Sequence, residues 1–211
     1  KLTRQSAPVG APNIVLILLD DVGFGSFGTF GGPVPTPTLD RIANIGLRYN
    51  QFHTTALCSP TRAAMLTGRN HHAVHMGGIT EIANSFPGYD SAIPPEAATM
   101  AQVLRMSGYA TSVFGKWHLG GPDGASPTQQ GFSVYRDAIE SRKASDRTPL
   151  TDSTDPKAMY TTNRDVTTWA SERKATPWFA AVMYHGIHTP HEARTATLER
   201  LQKTGLTGQK L

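Results

Sequence analysis

The sequence predicts an α/β protein whose central sheet is mainly parallel and flanked by helices. The first observation is the continuous apolar run at residues 14–19, whose length and β-branching are typical of a strand buried on both faces. The second is the alternation of such runs with segments of helical period. The third is composition: 211 residues with 38% hydrophobic and 17% charged side chains can bury a substantial core.

The elements are predicted in a regular order. Strands are predicted at residues 14–19, 47–53, 109–114 and 177–184. Each helix start is marked by a polar residue, at Thr36-Pro37, Ser59-Pro60, Thr99 and Thr162. In the second of these, Ser59 is the predicted N-cap. Glycines are predicted to end three helices, at Gly46, Gly68 and Gly108. Residues 1–11 are predicted to form a polar tail, and residues 121–160 a long loop region.

Charge and cysteine content exclude several classes of protein. The net charge is +4, and the basic residues are scattered, so the sequence predicts no nucleic-acid partner and only a small preference for anionic ligands. Cys58 is the single cysteine, which rules out an intramolecular disulfide framework. No apolar run approaches the roughly 20 residues of a membrane helix, so no membrane partner is predicted.

An acidic pair, Asp20-Asp21, follows the first predicted strand. Ligands in open α/β sheets bind beyond the carboxyl ends of the strands. Two adjacent carboxylates there would repel each other unless a cation joined them, and a hard divalent cation is the natural partner. A solvated turn is the alternative interpretation.

The segment Gly23–Gly28 matches the G-x-G-x-x-G pattern, with Asp40 further along the chain. A dinucleotide-binding domain is therefore an alternative. Two features oppose it: the acidic pair would repel a pyrophosphate, and the loop continues through more glycines and prolines instead of entering a helix.

The segment Cys58-Ser59-Pro60-Thr61-Arg62 is the most informative in the chain. Cys58 precedes a predicted helix start, where free N–H groups favour a thiolate or an oxyanion. Arg62 lies in the first turn, from which its side chain can lean back toward Cys58 or a bound anion. An inert buried thiol is the alternative.

Four motifs together resemble type I sulfatases, most closely bacterial arylsulfatases. The first is C-x-P-x-R, which begins at Cys58 and is followed by Ala63–Arg69. The second has two parts, Gly108–Thr111 and Gly115–Gly120. The third is the opening segment Pro12–Gly23, and the fourth is Thr36–Asp40. The resemblance implies an alkaline-phosphatase-like sandwich and hydrolysis of sulfate esters. It also implies a bacterial protein, for which the lack of cystine bridges is compatible with the cytoplasm or the periplasm.

The resemblance also implies roles for particular residues. Cys58 would be converted to formylglycine by a formylglycine-generating enzyme or an anaerobic maturase, with Arg62 orienting it. Lys116 and His118 would lie near the sulfate of a small-molecule ester. Asp20, Asp21 and residue 58 would hold a divalent cation, Ca²⁺ in preference to Mg²⁺.

Three histidines, His185, His188 and His191, follow the last predicted strand with a spacing of three. A zinc site on a helix is one interpretation, but Gly186 and Pro190 make a helix there improbable. The resemblance instead implies that His188, in its H-x-P context, is the catalytic histidine.

Residues 12–211 are expected to be the N-terminal portion of a sulfatase catalytic domain. The family has later metal ligands, an Asp-Asn or similar pair, and a second active-site lysine, and residues 192–211 contain no match for them. Two further alternatives are therefore kept open. One is a phosphonate or phosphate ester hydrolase of the same superfamily, and the other is a non-catalytic remnant that binds anions or a partner chain.

Overall fold

The computed structural model describes residues 6–121, 125–140 and 154–205 as an α/β arrangement around one four-stranded sheet. The strands are β1 (Ile14–Leu18), β2 (Ala110–Gly115), β3 (Val134–Arg136) and β4 (Trp178–Met183). Their order across the sheet is β1-β4-β2-β3, and every neighbouring pair is parallel. The predicted mainly parallel sheet is confirmed, and its four carboxyl ends lie along one edge.

The helices are α1 (Pro37–Ile45), α2 (Cys58–Thr67), α3 (Met100–Met106), α4 (Met159–Ser171) and α5 (Thr195–Gln202). The predicted start at Thr99 is confirmed by a capping box. The Thr99 hydroxyl accepts from the backbone N–H of Gln102 at 3.2 Å, and the Gln102 side chain accepts from the backbone N–H of Thr99 at 2.8 Å. Gly68 ends α2 in the left-handed region, as its position predicts.

The main core lies under the two central strands. The ring of Phe132 packs against the rings of Phe179 and Trp117, with a centroid distance of 5.8 Å in each case. The buried Trp117 also donates its indole N–H to the carbonyl of Ala125 at 2.8 Å. Because Trp117 follows β2, this packing fixes the backbone on either side of it at the carboxyl edge of the sheet.

Two predictions about strands are wrong. The side chains of Val15 and Ile17 are 53% and 58% exposed, so β1 is not buried on both faces. It lies at the end of the described sheet, with β4 as its neighbour and one face uncovered. Residues 47–53 form no strand, and they pair with none of the four described strands.

The described part of the region 121–160 contains regular structure that was not predicted. It contains β3 and the first residues of α4, while residues 122–124 and 141–153 lie outside the described residues. Thr162 lies inside α4, because the carboxylate of Asp155 accepts from the backbone N–H groups of Tyr160 and Thr161 one turn earlier. The predicted start at Thr162 is therefore wrong. Residues 6–11 of the predicted tail have no strand or helix, and residues 1–5 are not described. No helix in the described residues is long and apolar enough to cross a membrane.

Candidate active site

The segments that follow the strands are joined to one another at the carboxyl edge of the sheet. The backbone N–H of Lys116 donates to Met183 at 2.7 Å, and that of Asp20 donates to Gly186 at 3.0 Å. Gly115 has φ +90°, and a Cβ there would lie 2.1 Å from the carbonyl oxygen of Met183. Only glycine fits this close approach, which turns the chain toward Lys116.

Cys58 is the first residue of α2, and its thiol contacts His118. The Sγ atom lies 3.0 Å from Nδ1 of His118. The helix begins earlier than predicted, with Leu57 as the N-cap, so the prediction of Ser59 as N-cap is wrong. The buried Ser59 hydroxyl has no hydrogen-bond partner among the described residues. The earlier start places the thiol itself in the first helical turn, where the helix dipole favours negative charge.

Two cationic side chains converge on the buried carboxylate of Asp20. Lys116 Nζ lies 2.5 Å from Asp20 Oδ2, and Arg62 Nη2 lies 3.7 Å from the same oxygen. The Arg62 guanidinium also donates to the backbone carbonyl of Lys116 at 2.5 Å. Because Arg62 and Cys58 share one helix, these contacts bring side chain 58 to the edge that carries the acidic pair.

The side chain of Arg62 is completely buried, and two of its nitrogen atoms make no hydrogen bond to the described residues. Burial lowers its pKa, while the neighbouring acidic groups, Asp20 foremost, oppose that shift. Its Nε and Nη2 atoms have no hydrogen-bond partner among the described residues. A buried donor without a hydrogen bond is costly, so the guanidinium depends on its ion pair with Asp20 and its hydrogen bond to Lys116 for compensation.

Asp21 and His188 lie at the exposed rim of the same edge. Their side chains are 59% and 44% exposed, and Asp21 Oδ2 lies 4.0 Å from His188 Nε2. The backbone of Asp21 has φ +61°, an uncommon conformation that turns it away from the path of β1. His188 is thus near the acidic pair, as required of the predicted catalytic histidine.

Lys116 and His118 both enter the site, although the segment that carries them is not extended. His118 has φ +53°, a left-handed conformation that separates the directions of the two side chains. Lys116 therefore reaches Asp20, whereas His118 reaches Cys58. One short segment thus serves both the acidic pair and side chain 58.

The acidic pair fits a hard cation in donor type but not in donor number. Asp20 and Asp21 provide carboxylate oxygens, which Ca²⁺ and Mg²⁺ prefer. Within the described residues, no group of three or more His, Cys, Asp or Glu side chains could hold a metal ion. The pair can therefore supply part of a metal site, and the role of Cys58 as a third ligand stays a prediction.

Glu81 is a site residue that sequence analysis does not single out. Its carboxylate oxygens lie 2.9 and 2.8 Å from Nε2 of His118, the nitrogen opposite the one that faces Cys58. Partial burial is the largest single influence and raises the pKa of Glu81, but the hydrogen bonds with His118, the backbone and Thr80, together with the charge of His118, lower it overall. Glu81 lies in a short turn, Thr80–Ile82, with no motif around it that could have indicated this contact.

A second carboxylate–histidine pair joins the ends of β3 and β4. His185 Nε2 lies 2.8 Å from the buried carboxylate of Asp137. Burial raises the pKa of Asp137, but the hydrogen bond from His185 and its charge lower it overall. Asp137 directly follows β3, so recognition of that strand in the sequence would have indicated an acidic residue at this edge.

Neither alternative site from the sequence forms. His185 contacts Asp137, while His188 and His191 contact the backbone carbonyls of Thr189 and Ile187, so the three histidines do not converge on a zinc site. The segment Gly23–Gly28 enters two short 3-10 turns instead of a helix, and so lacks the helix N-terminus that a dinucleotide-binding loop requires.

The family model for Sulfatase matches residues 12–208. The chain belongs to the sulfatase family. Human arylsulfatase A is 47% identical over 128 residues, which are 59% of this chain and 24% of that protein. The sulfatase chain thus spans about a quarter of the length of this curated relative.

Solved structures show the same fold at low sequence identity. A crystal structure of Ps i-CgsB in complex with a neocarrahexaose matches 94% of this sulfatase chain and 49% of its own, with a TM-score of 0.66 and 20% identity. The phosphonate monoester hydrolase of Agrobacterium radiobacter matches 88% of this chain and 43% of its own, with a TM-score of 0.62 and 21% identity. The predicted family and α/β fold class are confirmed.

Proposed function

We propose that the protein hydrolyses sulfate esters in the manner of an arylsulfatase, with Cys58 oxidised to formylglycine. The observation that carries this proposal is the position of Cys58 within its sulfatase motif. It lies at the start of α2, 3.0 Å from His118, on the same helix as the buried Arg62. This arrangement supports a site in which side chain 58 is the nucleophile, His118 is the base and Arg62 is a cation beside them.

The cationic side chains are suited to bind the sulfate group. The ammonium of Lys116 and the guanidinium of Arg62 lie beside Asp20, which keeps both cations at the edge of the sheet. Donors held in place before the reaction stabilise charge that develops on the sulfate oxygens. Plain Cys58 lacks the second hydroxyl through which the sulfuryl group could be shed, and the hydrated aldehyde supplies it.

The two histidines would move the protons. Nδ1 of His118 faces side chain 58 and would take a proton from it in the second half of the reaction. His188, at the exposed rim, would protonate or stabilise the oxygen of the leaving alcohol or phenol. The partners we propose are a small sulfate ester and the maturase that oxidises Cys58, in a bacterial cytoplasm or periplasm.

The acidic pair would hold a divalent cation, with Ca²⁺ as the proposed ion, which would neutralise charge beside the sulfate. We expect Asp21→Asn to lower the amount of bound Ca²⁺ because it removes one of the two carboxylates. Asp90→Asn is the matched control, since Asp90 is also a half-exposed carboxylate paired with a histidine, His75. Metal analysis after dialysis measures both. Equal metal content in the two variants would count against the assignment.

Two measurements test the proposal: the mass of the peptide that contains residue 58, and the rates at which different aryl esters are hydrolysed. Conversion of the cysteine to formylglycine should lower the mass of the peptide that contains residue 58 by about 18 Da. Modified protein should then hydrolyse an aryl sulfate faster than an aryl phosphonate or phosphate. The reverse preference would favour the phosphonate or phosphate hydrolase. An unmodified cysteine without turnover of either substrate would favour the non-catalytic remnant.

A further inference from the structure

The imidazole of His118 is held between two side chains. Its Nδ1 lies 3.0 Å from Cys58 Sγ, and its Nε2 lies 2.8 and 2.9 Å from the two carboxylate oxygens of Glu81. The hydroxyl of Thr80 donates to Glu81 at 3.2 Å and so helps to fix the carboxylate. Both ring nitrogens of His118 therefore have a defined partner.

We propose that Glu81 is a positioning residue that holds His118 with its proton on Nε2 and its Nδ1 lone pair directed at side chain 58. This inference rests on the proposed function, in which His118 acts as a base through Nδ1. A carboxylate accepts hydrogen bonds and does not donate them, so Nε2 must carry the proton. In a neutral imidazole the other nitrogen is then the acceptor.

The exposure of Glu81 and His118 indicates that Glu81 positions the imidazole and contributes little to the stability of the fold. Glu81 is 63% exposed, and an exposed ion pair contributes little to the stability of a fold. His118 is only 16% exposed, so its ring lies inside the site while the carboxylate of Glu81 lies at the surface. Loss of Glu81 should therefore change the tautomer of the His118 imidazole more than it changes the free energy of unfolding.

The first test measures the tautomer directly in the chain with a thiol at position 58. Nitrogen-15 NMR of the imidazole, at a pH where the ring is neutral, should show a single Nε2–H tautomer in the wild type. Glu81→Ala should give a mixture that includes the Nδ1–H form. Glu96→Gln is the control, because Glu96 is another exposed glutamate, in the segment before α3. An unchanged single tautomer in Glu81→Ala would overturn the proposal.

The second test measures turnover of an aryl sulfate by the formylglycine-bearing protein. Glu81→Ala should lower kcat about 10- to 100-fold, by analogy with the loss of residues that orient a ligand histidine. KM should stay within roughly twofold, because the sulfate-binding cations are untouched. Glu81→Gln should restore part of kcat, since its amide oxygen can still accept from Nε2. Release of the phenol in the first turnover should be slowed less than later turnovers.

A KM increase with an unchanged kcat would contradict the proposal, because Glu81 would then act in binding. The two tests also separate this inference from the proposed function. If the wild type fails to hydrolyse the aryl sulfate, the proposed function fails, and the NMR measurement alone decides whether Glu81 sets the tautomer of His118.

Discussion

Cys58→Ala is expected to abolish turnover of aryl sulfates while the chain stays folded. The substitution removes the thiol group that the proposed oxidation replaces with the oxygen nucleophile, and loss of a nucleophile costs at least about a thousandfold in kcat. The half-buried thiol has one side-chain hydrogen bond among the described residues, with His118, so we expect the free energy of unfolding to fall by less than about 1.5 kcal/mol. Steady-state kinetics and urea unfolding measure the two quantities.

Met65→Leu is the matched control for this experiment. Met65 lies on the same helix and packs against the core, and the exchange conserves side-chain volume. It should leave kcat unchanged. Full turnover by Cys58→Ala would refute the nucleophile assignment, and a large loss of stability would show that the thiol has a structural role.

Arg62→Ala is expected to have the largest effect on stability. Arg62 is 0% exposed, donates to the backbone of Lys116 and lies 3.7 Å from the buried Asp20. Its removal leaves a cavity, an unpaired carbonyl and a carboxylate with one cation fewer. Breaking a buried pair from one side costs about 3–5 kcal/mol of the free energy of unfolding. Chemical denaturation measures the loss.

Two variants make the Arg62 result interpretable. Arg105→Ala removes an exposed arginine near the end of α3 and should change the free energy of unfolding by no more than about 0.5 kcal/mol. Arg62→Lys keeps the charge but loses the planar group that reaches Asp20 and the backbone together, so we expect an intermediate loss. A loss in Arg62→Ala as small as that of Arg105→Ala would show that the guanidinium is not needed at this edge.

The sequence predicts much of the architecture because local signals agree with the final packing. The apolar runs that become β2 and β4 are buried in the sheet, and Thr99 and Gly68 mark helix ends through their own hydrogen bonding and conformation. Local signals do not predict a strand correctly where its formation depends on pairing with a segment that is distant in the sequence. The segment 47–53 has the composition of a strand but no described neighbour, and β3 becomes a strand through pairing with β2.

The site divides in the same way. Cys58, Arg62, Lys116 and His118 belong to motifs, and the structure connects them in two contacting groups on one edge. Glu81 and Asp137 belong to no motif, and each meets its histidine across 37 and 48 residues of chain. Sequence spacing carries no information on such contacts, because they depend on where separate loops come together.

The strand order bears on when this protein can assemble during its synthesis. β4 pairs with both β1 and β2, yet it is the last of the four strands to leave the ribosome. Until residue 183 emerges, β1 has no neighbour in the described sheet, and Asp20 lacks the backbone carbonyl of Gly186 for its N–H. Such long-range pairing makes folding slow and leaves apolar segments exposed in the nascent chain. We therefore expect the nascent chain to need chaperones until β4 has been synthesised.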